Sequence, residues 1–366
     1  KKVTNNNVVT VAGKKVWANG TFVTDVAEVN GVKYTSLAEA VAAAKDGDTV
    51  KLLKNASTST LKSGVTYDLN GQTLTYTSTM TVTNTVAPTS FIDTSVLDAA
   101  RGGTLKMTRT ASGVAAFTVS AGTTFNVQNI HIESTQCEGI FPQGKDATLN
   151  ITNCDMKANY YCVGTNAGSL ANYGVIINLK GSTFSSMGTY AVDGTAVYIN
   201  VSGELNIDDC ELTAPRQALM VRAGTANITN STLKTTGSYS DKEQYYTGKW
   251  GSGNEVPAAA LVVGNYVNGA ADAYVADAVV TVENTKLIGE KDFPALYVDG
   301  NTAYKGDVSI SGDETVVSGA VMKGQNQDNA VISISGGLFN TQFDRSYCTT
   351  GLTVVNNNDE ATKRTY

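Results

Sequence analysis

The chain has 366 residues, which predicts either two globular domains or one elongated array of repeats. Its 33 acidic and 27 basic residues leave a net charge of −6, and this excess of negative charge argues against nucleic acid and anionic lipid as partners. Charged residues make up only 16% of the chain, against 35 glycines and 5 prolines, a composition typical of strands and tight turns. We therefore expect an all-β protein.

Neither a membrane span nor a signal peptide is predicted within this sequence. No apolar run is long enough to cross a bilayer, and the first residues, KKVTNNNVVTV, lack the apolar segment of a signal peptide.

The first strong element is a short amphipathic helix within the stretch SLAEAVAAAKDGD. Ser36 is the expected N-cap, Glu39 stands at the capping-box position, and Gly47 follows the helix. We assign residues 1–47 to N-terminal strands and a capping helix, and residues 48–366 to the repeat array. Between 49 and 104 the pattern is too weak to count repeats.

An octet then recurs along the chain, with successive starts 21 to 54 residues apart. A weaker copy begins at Leu105. The clear copies read FNVQNIHI from Phe125, LNITNCDM from Leu149, INLKGSTF from Ile177, LNIDDCEL from Leu205, ANITNSTL from Ala226, VTVENTKL from Val280, VSISGDET from Val308 and ISISGGLF from Ile332.

The pattern inside the octet predicts a strand, a corner and a second strand. Places 1 and 3 are apolar, the alternation of a half-buried strand. Place 5 is Asn, Asp or Gly, the residues that best tolerate a left-handed backbone. Apolar character returns at place 8. Each octet is therefore one corner of a coil, and the coils stack in parallel as a β-helix.

A further apolar strand follows most octets. Its copies are AFTVSAG from Ala116, ALMVRAG from Ala218, ALVVGN from Ala260, ALYVDGN from Ala295 and AVMKGQ from Ala320.

Place 2 of the octet is polar and predicted to point outward. It holds Asn126, Asn150, Asn178, Asn206, Asn227, Thr281, Ser309 and Ser333. We favour a ladder of side chains that hydrogen-bond along the stack, with a flat carbohydrate- or ice-contacting face as the alternative.

Both ends of the chain resemble a known group of modules. VNGVKYTSLAEAVAAAKDGDTVKLLKN from Val29 and ISISGGLFNTQFDRSYCTTGLTVV from Ile332 resemble the opening and closing segments of right-handed parallel β-helix modules in surface proteins of Gram-positive, often gut-dwelling, bacteria. The resemblance implies a single-domain, pectin-lyase-like fold and a secreted or cell-wall-associated location. It implies no particular activity.

The longest interval between octets contains an insertion at about 237–257 that is rich in aromatic residues. Flat rings in a polar loop suit stacking on sugars, so we predict a ligand-binding role for them. The alternatives are that the rings anchor the loop on the coils, or that the interval hides one more coil. The four residues are Tyr239, Tyr245, Tyr246 and Trp250.

Evidence for catalysis in the sequence is weaker. The Gly-His-Gly motif of polygalacturonase-like hydrolases is absent, and His131, the single histidine, is expected to be an exposed structural residue. Asp209, next to Asp208, occupies the corner place. If the chain is instead a polysaccharide lyase, a basic residue and calcium-binding carboxylates are needed. The candidates are then Arg222, Asp193, Asp299 and Lys323, which we expect to lie outward on one face.

The five cysteines show no metal-type spacing. Cys154 and Cys210 share place 6 but lie two coils apart, too far for a disulfide. Cys137 and Cys162 could pair, although free buried thiols are favoured.

The sequence as a whole favours an extracellular, non-catalytic module for adhesion or carbohydrate binding. A polysaccharide lyase or glycoside hydrolase and a passive surface spacer are the alternatives. We expect a monomer whose partner is a glycan or another host or cell-wall component. No cofactor is expected, with calcium needed only by a lyase.

Overall fold

The protein is almost entirely β-structure. A computed structural model describes residues 9–11, 14–16, 22–97, 100–109, 114–165, 174–187, 194–236, 249–250, 254–255, 258–264, 276–289, 293–300, 303–324 and 327–355. Its strands form three long sheets, in each of which strands from successive parts of the chain lie side by side. The prediction of an all-β repeat array is therefore confirmed, and the fold is a parallel, β-helix-like solenoid.

The N-terminal region precedes the regular stack. Its elements are β1 (Val9–Val11), β2 (Lys14–Val16), β3 (Phe22–Val23), β4 (Ala27–Val29), β5 (Val32–Tyr34) and α1 (Leu37–Ala43). Strands β1 to β3 form a small antiparallel sheet of their own.

The stack follows as coils that we number 1 to 11 in chain order. The strands of coils 1 to 4 are β6 (Thr49–Leu52) and β7 (Ala56–Thr58); β8 (Thr66–Asp68), β9 (Thr73–Tyr76) and β10 (Met80–Val82); β11 (Thr89–Ile92), β12 (Thr104–Met107) and β13 (Ala115–Val119); β14 (Thr124–Gln128), β15 (His131–Ser134) and β16 (Glu138–Pro142).

Coils 5 to 8 contain the middle of the stack. Their strands are β17 (Thr148–Thr152), β18 (Asp155–Ala158) and β19 (Val163–Gly164); β20 (Val175–Lys180), β21 (Thr183–Ser186) and β22 (Thr195–Ile199); β23 (Gly203–Asp208), β24 (Glu211–Ala214) and β25 (Gln217–Val221); β26 (Gly224–Thr229), β27 (Thr232–Thr235), the pair β28 (Lys249–Trp250) and β29 (Asn254–Glu255), and β30 (Ala259–Val263).

Coils 9 to 11 complete the stack. Their strands are β31 (Ala278–Glu283), β32 (Lys286–Ile288) and β33 (Leu296–Val298); β34 (Gly306–Ser311), β35 (Val316–Ser318) and β36 (Val321–Lys323); β37 (Ala330–Ile334) and β38 (Leu338–Phe339). Short 3-10 helices cover Gln327–Asn329 and Arg345–Tyr347.

Each coil contributes its strands to the same sheets in the same order. The opening strands form the first sheet, the next strands the second sheet, and the closing strands, β10 to β36, the third sheet. Within the described residues, coils 1 and 11 have no strand in the third sheet. At the N-terminal end, β4 and β5 extend the first sheet in antiparallel orientation.

The registers confirm the octet alignment. Ile151 pairs with Leu179, and Leu179 pairs with Ile207, so residues far apart in the chain become neighbours. All three side chains are buried. Strands such as β17 alternate buried and partly exposed positions, because one face of the first sheet lines the core.

The corner at place 5 adopts the predicted left-handed backbone. In coils 4 to 10, φ at this place lies between 48° and 88°, at Asn129, Asn153, Gly181, Asp209, Asn230, Asn284 and Gly312. In coil 11 the left-handed residue is Gly337, with φ of 110°, rather than Gly336. The role assigned to Asp209 is thus confirmed: its backbone turns the chain.

The weak octet copy predicted at Leu105 is wrong. Leu105 lies in β12 and pairs with Ile132 in the second sheet, whereas the first-sheet strand of coil 3 is β11. An insertion between Asp93 and Gly103 lengthens this corner, so the octet spacing fails there.

The helix begins as predicted and ends earlier. Ser36 Oγ accepts a hydrogen bond from Glu39 N at 3.2 Å, as an N-cap should. The Glu39 carboxylate accepts from Thr35 Oγ1 rather than closing a capping box. The helix ends at Ala43, and Gly47 lies in the following turn with φ of 83°. Helix α1 packs against β4, β5, β6 and β7.

The outward asparagines form a hydrogen-bonded ladder, the interpretation favoured from the sequence. From Asn150 to Asn227, each side-chain nitrogen donates to the amide oxygen of the asparagine in the preceding coil. The donor–acceptor distances are 2.9 Å from Asn150 to Asn126, 2.8 Å from Asn178 to Asn150, 3.0 Å from Asn206 to Asn178 and 3.0 Å from Asn227 to Asn206. The hydroxyl of Thr281 then donates to Asn227 Oδ1 at 2.8 Å.

The cysteines are all free, and four of them are buried. Burial raises the pKa of Cys154 and of Cys162 to about 12 and that of Cys210 to about 11, because a thiolate loses solvation in the core. These side chains therefore serve as small apolar core residues.

Candidate functional site

The middle of the third sheet differs from the other two sheets in being buried on both faces. In β22, β25 and β30 every residue is buried, whereas β31 of the first sheet alternates buried and exposed positions. A solvated sheet face does not bury its outward side chains. The outward side chains of these strands are therefore shielded from solvent.

An apolar row runs along this outer face. Tyr198 pairs with Met220, Met220 with Val262, and Val262 with Tyr297. At the N-terminal side the ring of Tyr161 lies 5.4 Å from that of Tyr198 and 6.0 Å from that of Phe141, between ring centroids. We call Phe141, Tyr161, Tyr198, Met220, Val262 and Tyr297 the outer row.

A glycine beside the outer row leaves room for an aromatic ring. Gly164 pairs with Tyr198, and a Cβ at this position would lie 2.5 Å from the ring of Phe141. The Phe141 ring therefore occupies the space that any larger residue would fill.

The connections of the third sheet include most of the chain's insertions. The intervals 166–173, 188–193 and 265–275 each adjoin a strand of this sheet, and the insertion at 237–257 leads into β30. By contrast, only Asn129 and Ile130 separate the first- and second-sheet strands of coil 4. These intervals therefore precede or follow third-sheet strands in the chain.

Polar side chains accompany the outer row in coils 5 to 7. Arg222 Nη1 donates to Tyr198 Oη at 3.1 Å, and Asn200 Nδ2 donates to the same oxygen at 3.3 Å. Thr165 Oγ1 donates to Asn200 Oδ1 at 2.8 Å. The arginine is fully buried, so the hydrogen bonds fix its guanidinium group against the sheet.

Of the four predicted catalytic residues, Arg222 and Asp299 share one register position. Each is the residue that follows its strand, because Val221 pairs with Val263 and Val263 pairs with Val298. Two strand spacings separate them, about 9.6 Å. Asp299 is 2% exposed and accepts hydrogen bonds from Tyr297 Oη at 3.2 Å and Gly300 N at 2.8 Å.

Lys323 lies elsewhere. It pairs with Val298, whose side chain belongs to the core, and its ammonium group lies 5.3 Å from the ring centroid of Tyr347. The structure therefore does not bring Lys323 to Arg222 and Asp299. Asp193 lies outside the described residues.

The predicted aromatic site is described only in part. Tyr239, Tyr245 and Tyr246 lie outside the described residues. Trp250 lies in β28, which pairs in antiparallel orientation with β29, with Trp250 opposite Asn254. The insertion thus contains a short hairpin between coil 8 strands β27 and β30.

His131 and the acidic pair lie away from the third sheet. His131 Nδ1 is 3.2 Å from Asp155 Oδ2 in the second sheet, and the Arg101 guanidinium bonds the same carboxylate at 3.1 Å. Asp208 accepts from Thr229 and Asn230 and lies 3.5 Å from Lys180. These contacts join neighbouring coils, which is a structural role.

The described part of the chain contains no group of three or more His, Cys, Asp or Glu side chains arranged to hold a metal ion. In the same residues, no helix has the length and apolarity to span a bilayer.

Sequence reasoning found five of the nine described third-sheet strands, β13, β25, β30, β33 and β36, but not the outer row. Tyr198, Met220 and Tyr297 are apolar at outward positions, where a solvated strand would be polar. The runs AVYI, ALMV and ALYV lack the apolar–polar alternation of the octet. This continuous apolar pattern is the feature of the sequence that indicates a strand buried on both faces. Comparisons with family models, with curated proteins and with solved structures found no match to this chain.

Proposed function

We propose that the protein is an extracellular surface module that binds carbohydrate and does not transform it. The observation that carries the proposal is the third sheet, whose middle strands bury the outer row together with arginine, asparagine and threonine side chains, and whose connections in the chain include the aromatic insertion that would supply the exposed binding surface. Tyrosine rings and amide groups are the partners that sugar rings and hydroxyls require.

The insertion at 237–257 fits this proposal because it adjoins the third sheet. Its aromatic residues, Tyr239, Tyr245, Tyr246 and Trp250, would stack on sugar rings at the rim of the outer row. A rigid scaffold that presents a long loop is a common design for binding sites.

The same proposal includes the finer architecture and the setting. The coils would wind in a right-handed β-helix, with α1 as the cap of the N-terminal end. The module would be secreted or attached to the cell wall of a Gram-positive bacterium, and would act as a monomer that binds a glycan or another host or cell-wall component. No cofactor is required for binding of this kind.

A glycan array tests the proposal directly. We expect the purified protein to bind a limited set of glycans, and Trp250→Ala to weaken that binding about tenfold, which corresponds to the loss of one stacking ring. Trp17→Ala is the matched control, since these are the 2 tryptophans of the chain. The control should bind as the unchanged protein does.

Two outcomes contradict the proposal. If neither the protein nor its variants bind any glycan, the passive spacer becomes the better function. Equal losses in Trp250→Ala and Trp17→Ala would show that the insertion is not the binding surface.

A polysaccharide lyase is the second candidate, favoured by the shared register of Arg222 and Asp299 on the outer face. Arg222 is fully buried and donates to Tyr198, so this function would require the site to open to an acidic sugar, with calcium held by carboxylates. Release of unsaturated products from acidic polysaccharides with added calcium, abolished in Arg222→Gln, would favour this function over simple binding.

A further inference from the structure

An open cleft lies at the N-terminal end of the third sheet. Coil 1 has strands in the first and second sheets but none in the third, and residues 59–63 follow β7 without forming a strand. A cleft of about 690 Å³ separates this segment from β10, the edge strand of the third sheet. All residues that line it are described, and it is distinct from the outer row.

The backbone of β10 has one residue that faces the cleft with its hydrogen-bonding groups unused. The Val82 carbonyl accepts from Ser120 N at 3.0 Å, toward β13. Thr83 N donates in the opposite direction, to Ser63 Oγ at 2.9 Å. Because successive residues of a strand point their backbone groups to opposite sides, the N–H and C=O of Thr81 face the cleft. Among the described residues they have no partner.

The opposite wall of the cleft is formed by residues 59–63. Thr60 N donates to Thr58 Oγ1 at 3.1 Å, and Lys62 N donates to Tyr67 Oη at 2.6 Å. Leu61, between them, lines the cleft, and its backbone groups likewise have no partner within the described chain. The unused donor and acceptor that face the cleft are therefore those of Thr81 on the β10 wall.

The size of the cleft matches an extended chain. One extended residue occupies roughly 160 Å³, taken as about 3.3 Å along the strand, 4.8 Å between strands and 10 Å between sheets. The cleft of about 690 Å³ thus holds roughly four residues.

The cleft is less suited to a sugar. Tyr76, the aromatic residue in its lining, is 2% exposed and presents no ring face for stacking. Ser63 Oγ already accepts from Thr83 N and Asn84 N, and Thr79 Oγ1 accepts from Arg109 at 2.8 Å. The side-chain hydroxyls are thus partly occupied, while the backbone groups are unused.

We propose that this cleft binds an extended peptide segment of another polypeptide, which adds a strand to the third sheet at β10. Unpaired edge strands are templates for such pairing, and strand addition draws its affinity from backbone hydrogen bonds. The proposal does not depend on carbohydrate binding at the outer row.

Two variants of one residue test the proposal. Thr81→Pro removes the free N–H and places a ring in the cleft, and it breaks no recorded backbone hydrogen bond. Thr81→Val keeps the N–H and removes only the hydroxyl. A phage-displayed library of random linear peptides is panned on the unchanged protein, with Thr81→Pro as the counter-selection, and enriched peptides are synthesised.

Strand addition predicts that the selected peptides bind the unchanged protein and Thr81→Val alike, and that Thr81→Pro weakens binding by about tenfold or more. Failure to enrich any peptide, or equal binding by Thr81→Pro, would overturn the proposal. So would binding of an oligosaccharide that survives in Thr81→Pro and is lost in Thr81→Val, since that pattern indicates recognition through the hydroxyl.

Amide hydrogen exchange gives a readout that does not require Thr81→Pro to fold. In the free protein the Thr81 amide should exchange quickly, in contrast to the paired amides of β13, and it should become protected when a selected peptide is added. A Thr81 amide that is already protected without peptide, or one that stays unprotected in the complex, would overturn the proposal.

Discussion

Asp93 is a buried carboxylate whose partners are mostly backbone amides. It is 2% exposed. Its oxygens accept from Ser95 N at 2.8 Å, Gly71 N at 2.6 Å and Gly103 N at 2.6 Å, and from the Ser95 hydroxyl. Burial alone would raise the pKa of Asp93, but these hydrogen bonds outweigh it and hold the pKa below its usual value. Asp93 thereby ties both ends of the lengthened corner of coil 3 to coil 2.

We expect Asp93→Asn to destabilise the protein at neutral pH by about 1–3 kcal/mol, the cost of weakening a buried hydrogen-bonded group. Because the folded pKa is depressed, the carboxylate stabilises the fold fully above its unfolded pKa, near 3.8, and this contribution is lost as the pH falls through the folded pKa. The difference between the two proteins should therefore shrink in urea unfolding near pH 3.

Asp313→Asn, at an exposed position, is the control and should match the unchanged protein at each pH. An equal difference between Asp93→Asn and the unchanged protein at neutral and acidic pH would contradict the role given to the ionised carboxylate.

The asparagine ladder is the clearest feature at the scale of the element. Asn178 in β20 donates to Asn150 and accepts from Asn206, so it connects coils 5, 6 and 7 through side chains alone. The backbone pairs of the first sheet already join these coils. The ladder therefore adds to the sheet on its outer side.

We expect Asn178→Ala to lower the free energy of unfolding by about 1–2 kcal/mol, since it removes two side-chain hydrogen bonds from a partly buried row. Denaturant unfolding measures the change. Lys180→Ala, on the same strand and face, is the matched control. It removes the ion pair between Lys180 and Asp208, which is exposed and therefore contributes little to stability. Equal effects of the two substitutions would mean that the ladder bonds add nothing to stability.

The elements with a repeated local pattern were predictable from the sequence. Asn129, Asn153 and Asn230 stand at corners where a left-handed backbone is needed, and the apolar alternation fixed the register of the first sheet. Leu105 was misassigned because the insertion tied by Asp93 has no counterpart in the other coils. A corner of unusual length carries no periodic signal.

The candidate site was less predictable for a physical reason. Which outward residues become buried depends on chain that is distant in sequence. Arg222 and Asp299 share a register position after an apolar strand, yet nothing local distinguishes Lys323, which instead lies over Tyr347. The cleft at Thr81 exists because coil 1 contributes no strand to the third sheet, and the sequence of residues 59–63 contains no pattern that predicts this.

At the scale of the whole molecule, the two ends of the stack have different neighbours. At the N-terminal end, α1 and the antiparallel strands β4 and β5 lie against coil 1. At the C-terminal end, Phe343 packs on Phe339 with ring centroids 4.5 Å apart. An apolar groove of about 410 Å³, which includes Leu352 and Val355, remains beside coil 11.

In a stack of repeats, each coil is stabilised by its neighbours, so the less covered end should open first. We expect the amides of β37 to exchange faster than those of β23 in the middle. Phe343→Ala should accelerate exchange in β37 by about tenfold, which corresponds to roughly 1.4 kcal/mol, and leave β23 unchanged.

Hydrogen exchange with mass spectrometry measures both regions in one experiment. Val86→Ala, at a side chain that is 87% exposed, is the control and should change neither region. Equal acceleration in β37 and β23 would contradict independent opening of the end, and would indicate that the stack unfolds as one unit.

The asparagine ladder has a direction, and this bears on how such a chain can lengthen. Each side-chain amide from Asn150 to Asn227 donates a hydrogen bond to the coil on its N-terminal side and accepts one from the coil on its C-terminal side. A tandem duplication of one whole turn would give the new copy the same two neighbours that the original had. Gene segments that encode single turns can therefore be copied in the middle of the array without leaving any amide of the row unsatisfied.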